Sequence, residues 1–154
     1  MARLYGDWGR FEMWRRKIAS GASFEQMASE IGQFGESAKS VVVGHIFAQD
    51  LRWKKLSKVT LAKKGGRQKI YWDTGEFVDS IQVEVQDRGL KGVRLEVKPT
   101  GQHSTGIDMQ ELAAVLEYGN SKTPARPLWR PSFREIKKHP DLNSILDLKK
   151  RFGF

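Results

Sequence analysis

The chain has no cysteine. That absence removes disulfides, thiolate catalysis and the usual cysteine-based zinc sites together. Histidine is scarce too: there are three in 154 residues, and His45, His103 and His139 stand on separate segments. A metal cluster or a histidine base is therefore not expected. No stretch approaches the roughly 18 apolar residues of a membrane span. The N-terminal MARLYGDWGRFEMWRRK carries charges where a signal peptide has a continuous apolar run. A soluble protein made in a cytoplasm is the expectation. Acidic residues are missing locally. From Arg52 to Lys69 there are eight basic residues, Arg52, Lys54, Lys55, Lys58, Lys63, Lys64, Arg67 and Lys69, and no Asp or Glu.

The rest of the composition is that of a folded chain with a modest core. The apolar fraction is 39%, below the usual globular share, yet five tryptophans and eight phenylalanines bring large buriable surfaces. The length suits a single domain spanning 1–154. Its parts are a helical stretch (1–51), a basic loop segment (52–72), a sheet-plus-helix part (73–138) and a C-terminal tail (139–154). A net charge of +9 favours polyanions or an acidic protein surface as partners.

Periodicity assigns the elements. Trp8, Phe11, Trp14 and Ile18 are spaced as a short amphipathic helix. Ser23, three residues before Gln26, opens a second helix. Its apolar face, through Phe34, Ala38, Val42, His45 and Ile46, runs to about Leu51. Gly32, Gly35 and Gly44 each weaken a helix by up to ~1 kcal/mol relative to Ala, so a bend or break near Gly32–Gly35 is expected. Ser57 caps a short helix through Lys64, and Gly65-Gly66 reads as an exposed flexible loop. The period then falls to two. Ile81, Val83 and Val85, then Val93, Leu95 and Val97, alternate with polar residues and form an antiparallel hairpin that covers the long helix. Asp108 and Glu111 mark another helix start, Leu112, Val115, Leu116 and Tyr118 form its apolar face, and Gly119 is its left-handed stop. A last helix begins at Pro131 or Ser132, with Phe133 and Ile136 inward, and ends at Pro140. The fold class is α+β: a long N-terminal helix on a small antiparallel sheet, with C-terminal helices after a proline-rich elbow.

Chemistry has little support. Asp73, Glu76 and Asp79 cluster before the first strand, but capping and loop hydrogen bonds account for them. Gly65-Gly66 has neither the spacing nor the flanking strand of a phosphate loop. No catalytic residue, cofactor or metal site is expected, and the chain is read as a non-enzyme. The basic segment, flanked by Trp53, Tyr71 and Trp72, has the means to contact phosphates and stack on bases. No helix-turn-helix, zinc finger or RNP-like string accompanies it, so any DNA contact would be non-specific, and an acidic partner is the alternative.

The elbow itself, EYGNSKTPARPLWRPSF over residues 117–133, combines a helix stop, stiffening Pro124 and Pro127, and large side chains. Trp and Arg are enriched at binding hot spots. Leu128, Trp129 and Phe133 are the large anchors. Trp129 and Phe133 either pack on the chain's own core or anchor a partner, whereas Arg126, Arg130 and Arg134 are expected to face solvent or a partner.

This stretch resembles the C-terminal signature of the tail-completion, or head–tail joining, proteins of tailed bacteriophages. That pattern is a helix ending in Glu-Tyr/Phe-Gly, a short polar loop, a Pro-x-Arg-Pro elbow, an aromatic residue or Leu, then Arg-Pro and a helix. Glu117, Tyr118, Gly119, Pro124, Arg126, Pro127, Leu128, Arg130 and Pro131 match it. DTGEFVDSI resembles the family's middle element at Thr74, Gly75, Phe77, Ser80 and Ile81. Trp53-x-x-Leu56 with Thr60-x-x-Lys63 resembles the segment before it. The likeness covers roughly residues 50–138. It implies a structural protein of the virion neck, assembled in the host cytoplasm as a homo-oligomeric ring, a hexamer or dodecamer. Its partners would be portal or head-completion proteins on one side and tail tube, sheath or tail terminator proteins on the other. Tyr118, Pro124, Arg126, Pro127, Leu128, Trp129, Arg130 and Arg134 are then the expected subunit or partner interface. The alternative is a non-specific DNA-binding or packaging accessory protein.

Overall fold

The computed structural model describes residues 22–87 and 93–138. The expected helix at 8–18, the hairpin turn at 88–92, His139, the stop at Pro140 and the tail at 139–154 lie outside the described residues.

Helix α1 runs from Ala22 to Ala48 as one unbroken element of 27 residues. Ala38, Val42, His45 and Ile46 lie on its buried stripe, at the three-and-four spacing of a helix face. The expected break at the glycines does not occur. Gly35 serves packing instead: a Cβ there would overlap Val83 and come within 2.8 Å of Leu95. Its absence lets the hairpin lie directly on the helix backbone. The helix ends where Gln49 turns to φ 54° and its N–H bonds to the His45 carbonyl at 2.9 Å. The Gln49 amide then pairs with the backbone of Ile70, donating at 3.0 Å and accepting at 2.9 Å. This ties the helix end to the far side of the basic segment.

Strands β1 (Ile81–Asp87) and β2 (Val93–Pro99) form a two-stranded antiparallel sheet with Val83 opposite Val97 and Val85 opposite Leu95. A lone hairpin is marginally stable in water. Here α1 packs on both strands. The other face carries the polar alternates, where Lys98 bridges Glu84 at 2.8 Å and Glu96 at 2.5 Å. The fold is α+β, as the pattern implies.

Four further helices complete the described architecture. Helix α2 (Lys58–Lys63) is capped by Ser57, and the single turn α3 (Glu76–Asp79) precedes β1. Helix α4 (Met109–Tyr118) begins where the Asp108 carboxylate accepts from the N–H groups of Gln110 and Glu111 at 2.8 and 3.2 Å. Its deepest stripe is Met109, Ala113 and Glu117, while Tyr118 is 65% exposed. Leu112 and Leu116 are half-buried against the core, so the apolar face is rotated from the expected one and ends in a carboxylate. Helix α5 (Trp129–Ile136) packs on α1. It starts two residues before Pro131, which occupies the first turn, where a missing N–H is tolerated. Among the described residues it is the one helix after the elbow.

Candidate functional site

The elbow residues join one another before they meet anything else. Gly119 leaves α4 at φ 75°, ψ 174°, a region open essentially to glycine alone and not the left-handed helical stop that was expected. A Cβ there would stand 2.6 Å from the Ala125 nitrogen and 2.9 Å from the Thr123 oxygen. Asn120 closes the loop by accepting from Lys122 and Thr123 N–H at 2.9 and 2.7 Å. The returning segment is stitched to α4 by Arg126 N–H on the Leu116 carbonyl at 2.7 Å.

Glu117 completes the clasp. Its buried carboxylate accepts from the N–H groups of Leu128, Trp129 and Arg130 at 2.7, 2.9 and 3.1 Å. Those are the first donors of α5, which has no side-chain cap of its own. A negative charge at a helix N-terminus satisfies orphan donors and complements the helix dipole. Ser132 secures the same turn through the Leu128 carbonyl at 2.7 Å.

This geometry corrects part of the expected interface. Arg126 is 6% exposed and Leu128 is 0% exposed, so neither side chain stands on the outer surface of the elbow. The Arg126 Nε donates to the Lys54 carbonyl at 3.0 Å, Tyr71 Oη donates to the Arg126 carbonyl at 2.6 Å, and Trp53 Nε1 donates to the Pro127 carbonyl at 2.7 Å. The conformation of the elbow requires the 52–72 segment beneath it. Trp129 is half-buried against the core and Pro124 is half-buried. Pro127, Arg130 and Arg134 are exposed, and Arg130 lies over the Tyr118 ring at 5.0 Å. Phe133 points outward, not inward: it is 58% exposed, with Lys137 over its ring at 4.9 Å. Beside it runs an apolar groove of about 390 Å³, walled by Phe34, Ala38, Leu95 and Val97 on one side and Trp129 and Ile136 on the other.

The basic segment is also more built than a flexible loop. Gly65 and Gly66 make their turn at positive φ. Lys64 is half-buried and donates to the Lys69 and Trp72 carbonyls, both at 2.8 Å, and burial lowers its pKa. Arg67 bonds to the Lys64 carbonyl at 3.1 Å and pairs with Asp73 at 3.1 Å. Lys64 thus braces the segment from within. Arg52, Lys54, Lys55, Lys58, Lys63 and Lys69 are exposed, as is Arg67 despite its pairing.

Between this segment, α4 and the elbow opens a cavity of about 500 Å³ lined by Lys54, Lys55, Lys64, Lys122 and Arg126, with Asp73, Glu76 and His103 at its edge. The Glu76 carboxylate is held below the usual range by hydrogen bonds from Ser104 N–H and the Thr74 hydroxyl. His45 sits elsewhere, its Nδ1 2.8 Å from Asp50. Its Nε2 is 3.2 Å from Glu135 but not aligned for a hydrogen bond. Among the described residues no cluster of His, Asp and Glu has metal-binding geometry, and no helix is long and apolar enough to cross a membrane.

Tyr71 makes the elbow sensitive to alkali. Burial first, then the Glu117 carboxylate, push its phenol far above the ordinary tyrosine value, with Arg126 opposing. A raised folded-state pKa means that the neutral phenol's contribution is fully present below about pH 10 and is lost as pH rises beyond it. Lys64, with its lowered pKa, acts in the opposite sense but is less deeply buried. Denaturant midpoints should therefore hold through neutral pH and fall from about pH 10 upward. In Tyr71→Phe the fall should be shallower, after a loss of ~1 kcal/mol for the missing hydrogen bond.

The roles of three contributors were not legible in the sequence. Glu117 was legible only as a signature letter, although its four-residue spacing from Ala113 places it on the buried stripe. Tyr71 and Trp53 read as base-stacking aromatics and instead donate hydrogen bonds to elbow carbonyls. Comparison of the chain with protein-family models, curated proteins and solved structures finds no match.

Proposed function

We propose that the chain is a structural subunit of the tailed-phage neck, a tail-completion or head–tail connector protein that acts by assembling into a ring. The observation that carries this reading is the outer face of α5. Glu117 and the closed elbow fix the N-terminus of that helix to α4, yet Phe133 projects from it beside an apolar groove, with Arg130 and Arg134 exposed next to it. Large apolar side chains flanked by arginine on a rigid element suit a subunit contact. A ring contact is heterologous, one subunit's patch meeting a different face of the next, and Phe133 with the groove it lines supplies one half of such a contact. The sequence resemblance directs the ring to the junction of head and tail.

The test is Phe133→Asp. Because the ring of Phe133 is mostly exposed, folding stability should change by less than about 0.5 kcal/mol. Light scattering and negative-stain imaging should show rings for the parent chain and monomers for the variant. Unchanged assembly of Phe133→Asp, or a parent that stays monomeric at high concentration, would sink the reading.

A second reading, a non-specific DNA-binding accessory protein, is favoured by the seven exposed basic residues from Arg52 to Lys69. It requires duplex affinity that falls steeply with salt and is removed by neutralising Lys55, Lys58 and Lys63. Weak binding at physiological salt excludes it.

A further inference from the structure

The Arg126 guanidinium is buried for architecture at one end and unused at the other. Its Nε is taken by the Lys54 carbonyl at 3.0 Å, but among the described residues no acceptor or carboxylate reaches its two Nη groups. The side chain is 6% exposed and lines the 500 Å³ cavity. Those Nη donors are not sealed in the core, since among the described residues the one buried side-chain nitrogen or oxygen without a partner is His45 Nε2; they open onto the cavity, and burial lowers the group's pKa against the slight support of Tyr71. The other polar groups of the wall are committed. Lys64 is held by two carbonyls, Asp73 by Arg67, and Glu76 by Thr74 and Ser104. Lys54, Lys55 and Lys122 ring the mouth with exposed ammonium groups. Between them lie apolar walls from Leu112, Leu116, Phe77 and Trp72.

We propose that this cavity is a socket for an acidic side chain of a protein partner, its carboxylate taken by the Arg126 Nη pair. Three features select a peptide carboxylate. The planar guanidinium fork matches a carboxylate bidentately. The apolar walls suit the methylenes of a Glu side chain. The recess also keeps the guanidinium from a duplex, whose phosphates lie on a rod too wide to enter, so DNA contact would be confined to the rim lysines. The lysines at the mouth would speed encounter with an acidic segment and hold its flanking charges. This inference is independent of ring formation, because the socket lies on the elbow's inner side and Phe133 and its groove take no part in it.

The experiment uses the purified full chain and a hexaglutamate peptide at low salt, with inorganic phosphate and a short DNA duplex as comparison probes. Binding is followed through the Arg126 Nε–H resonance and by calorimetry. The peptide should bind saturably and shift that resonance. It should bind about tenfold more weakly to the double variant Lys55→Gln/Lys122→Gln, which alters exposed groups and leaves the fold's own bonds untouched. An unmoved Arg126 resonance, or binding by the double variant within about twofold of the parent, overturns the proposal. So does an equal shift by phosphate at the same concentration, which would assign the cavity to free oxyanions, or by the duplex.

Discussion

Glu117→Ala should be among the most destabilising single substitutions in this chain, although it removes a charged residue next to a loop. The variant loses the acceptor for three N–H groups at the start of α5, and at least the Leu128 donor is left in the core. Hydrogen bonds to a charged group contribute about 1.5–3 kcal/mol each, and a stranded buried donor adds a desolvation cost of its own. Because these effects share one group and do not simply add, the expected loss is about 3 kcal/mol or more. For a chain of this size that is a fall in melting temperature of roughly 10 °C. Glu117→Gln keeps one good acceptor oxygen and should lose about half as much. Glu111→Ala, an exposed acidic residue in the first turn of the same helix, should change stability by less than about 0.5 kcal/mol. If Glu111→Ala and Glu117→Ala prove equal in thermal or denaturant unfolding, the clasp is not what holds α5.

Gly119→Ala is the second large effect, and it isolates the geometry of the turn from its charge. Two penalties combine. At φ 75° and ψ 174° an alanine is strained by about 1–3 kcal/mol. Its methyl group would also meet the Ala125 nitrogen at 2.6 Å and the Thr123 oxygen at 2.9 Å. Those neighbours are backbone atoms of a loop pinned by Asn120 and Arg126, so they cannot swing aside as a side-chain tip would. A loss of about 3 kcal/mol or more is expected, with weaker protection of the Arg126 amide against hydrogen exchange. Gly101 supplies the internal control. It also has positive φ, at 84°, but a Cβ there meets nothing within 4 Å. Gly101→Ala should therefore show backbone strain alone, about 1–2 kcal/mol. Equal losses at the two glycines would mean that the loop relaxes and the close approach carries no energy.

Much of the architecture was legible because it depends on local spacing. The hairpin followed from the alternation of Ile81, Val83 and Val85 with polar residues. The caps at Ser57 and Asp108 followed from side-chain chemistry that acts within three residues. The long helix was legible too, but its integrity was not. Glycine propensity argued for a break near Gly35, and tertiary packing overrode it because the hairpin side chains occupy the space that a Cβ would need. The inward assignment of Phe133 failed for a related reason. An eight-residue helix offers too few apolar positions to fix its own rotation, and the Glu117 carboxylate and Leu128 set that rotation from outside.

By itself, the sequence determined the α+β class, the order of the elements, the lack of cysteine chemistry and the concentration of positive charge before the sheet. All of these depend on residue type and near-neighbour period. Only the tertiary structure decided what the elbow is for. Arg126 lies within a run of exposed-looking turn residues, and its burial arises from contacts with Lys54 and Tyr71, 72 and 55 residues away in sequence. No local pattern encodes such a partner, because hydrogen bonds across that separation are specified only when the core has brought both segments together.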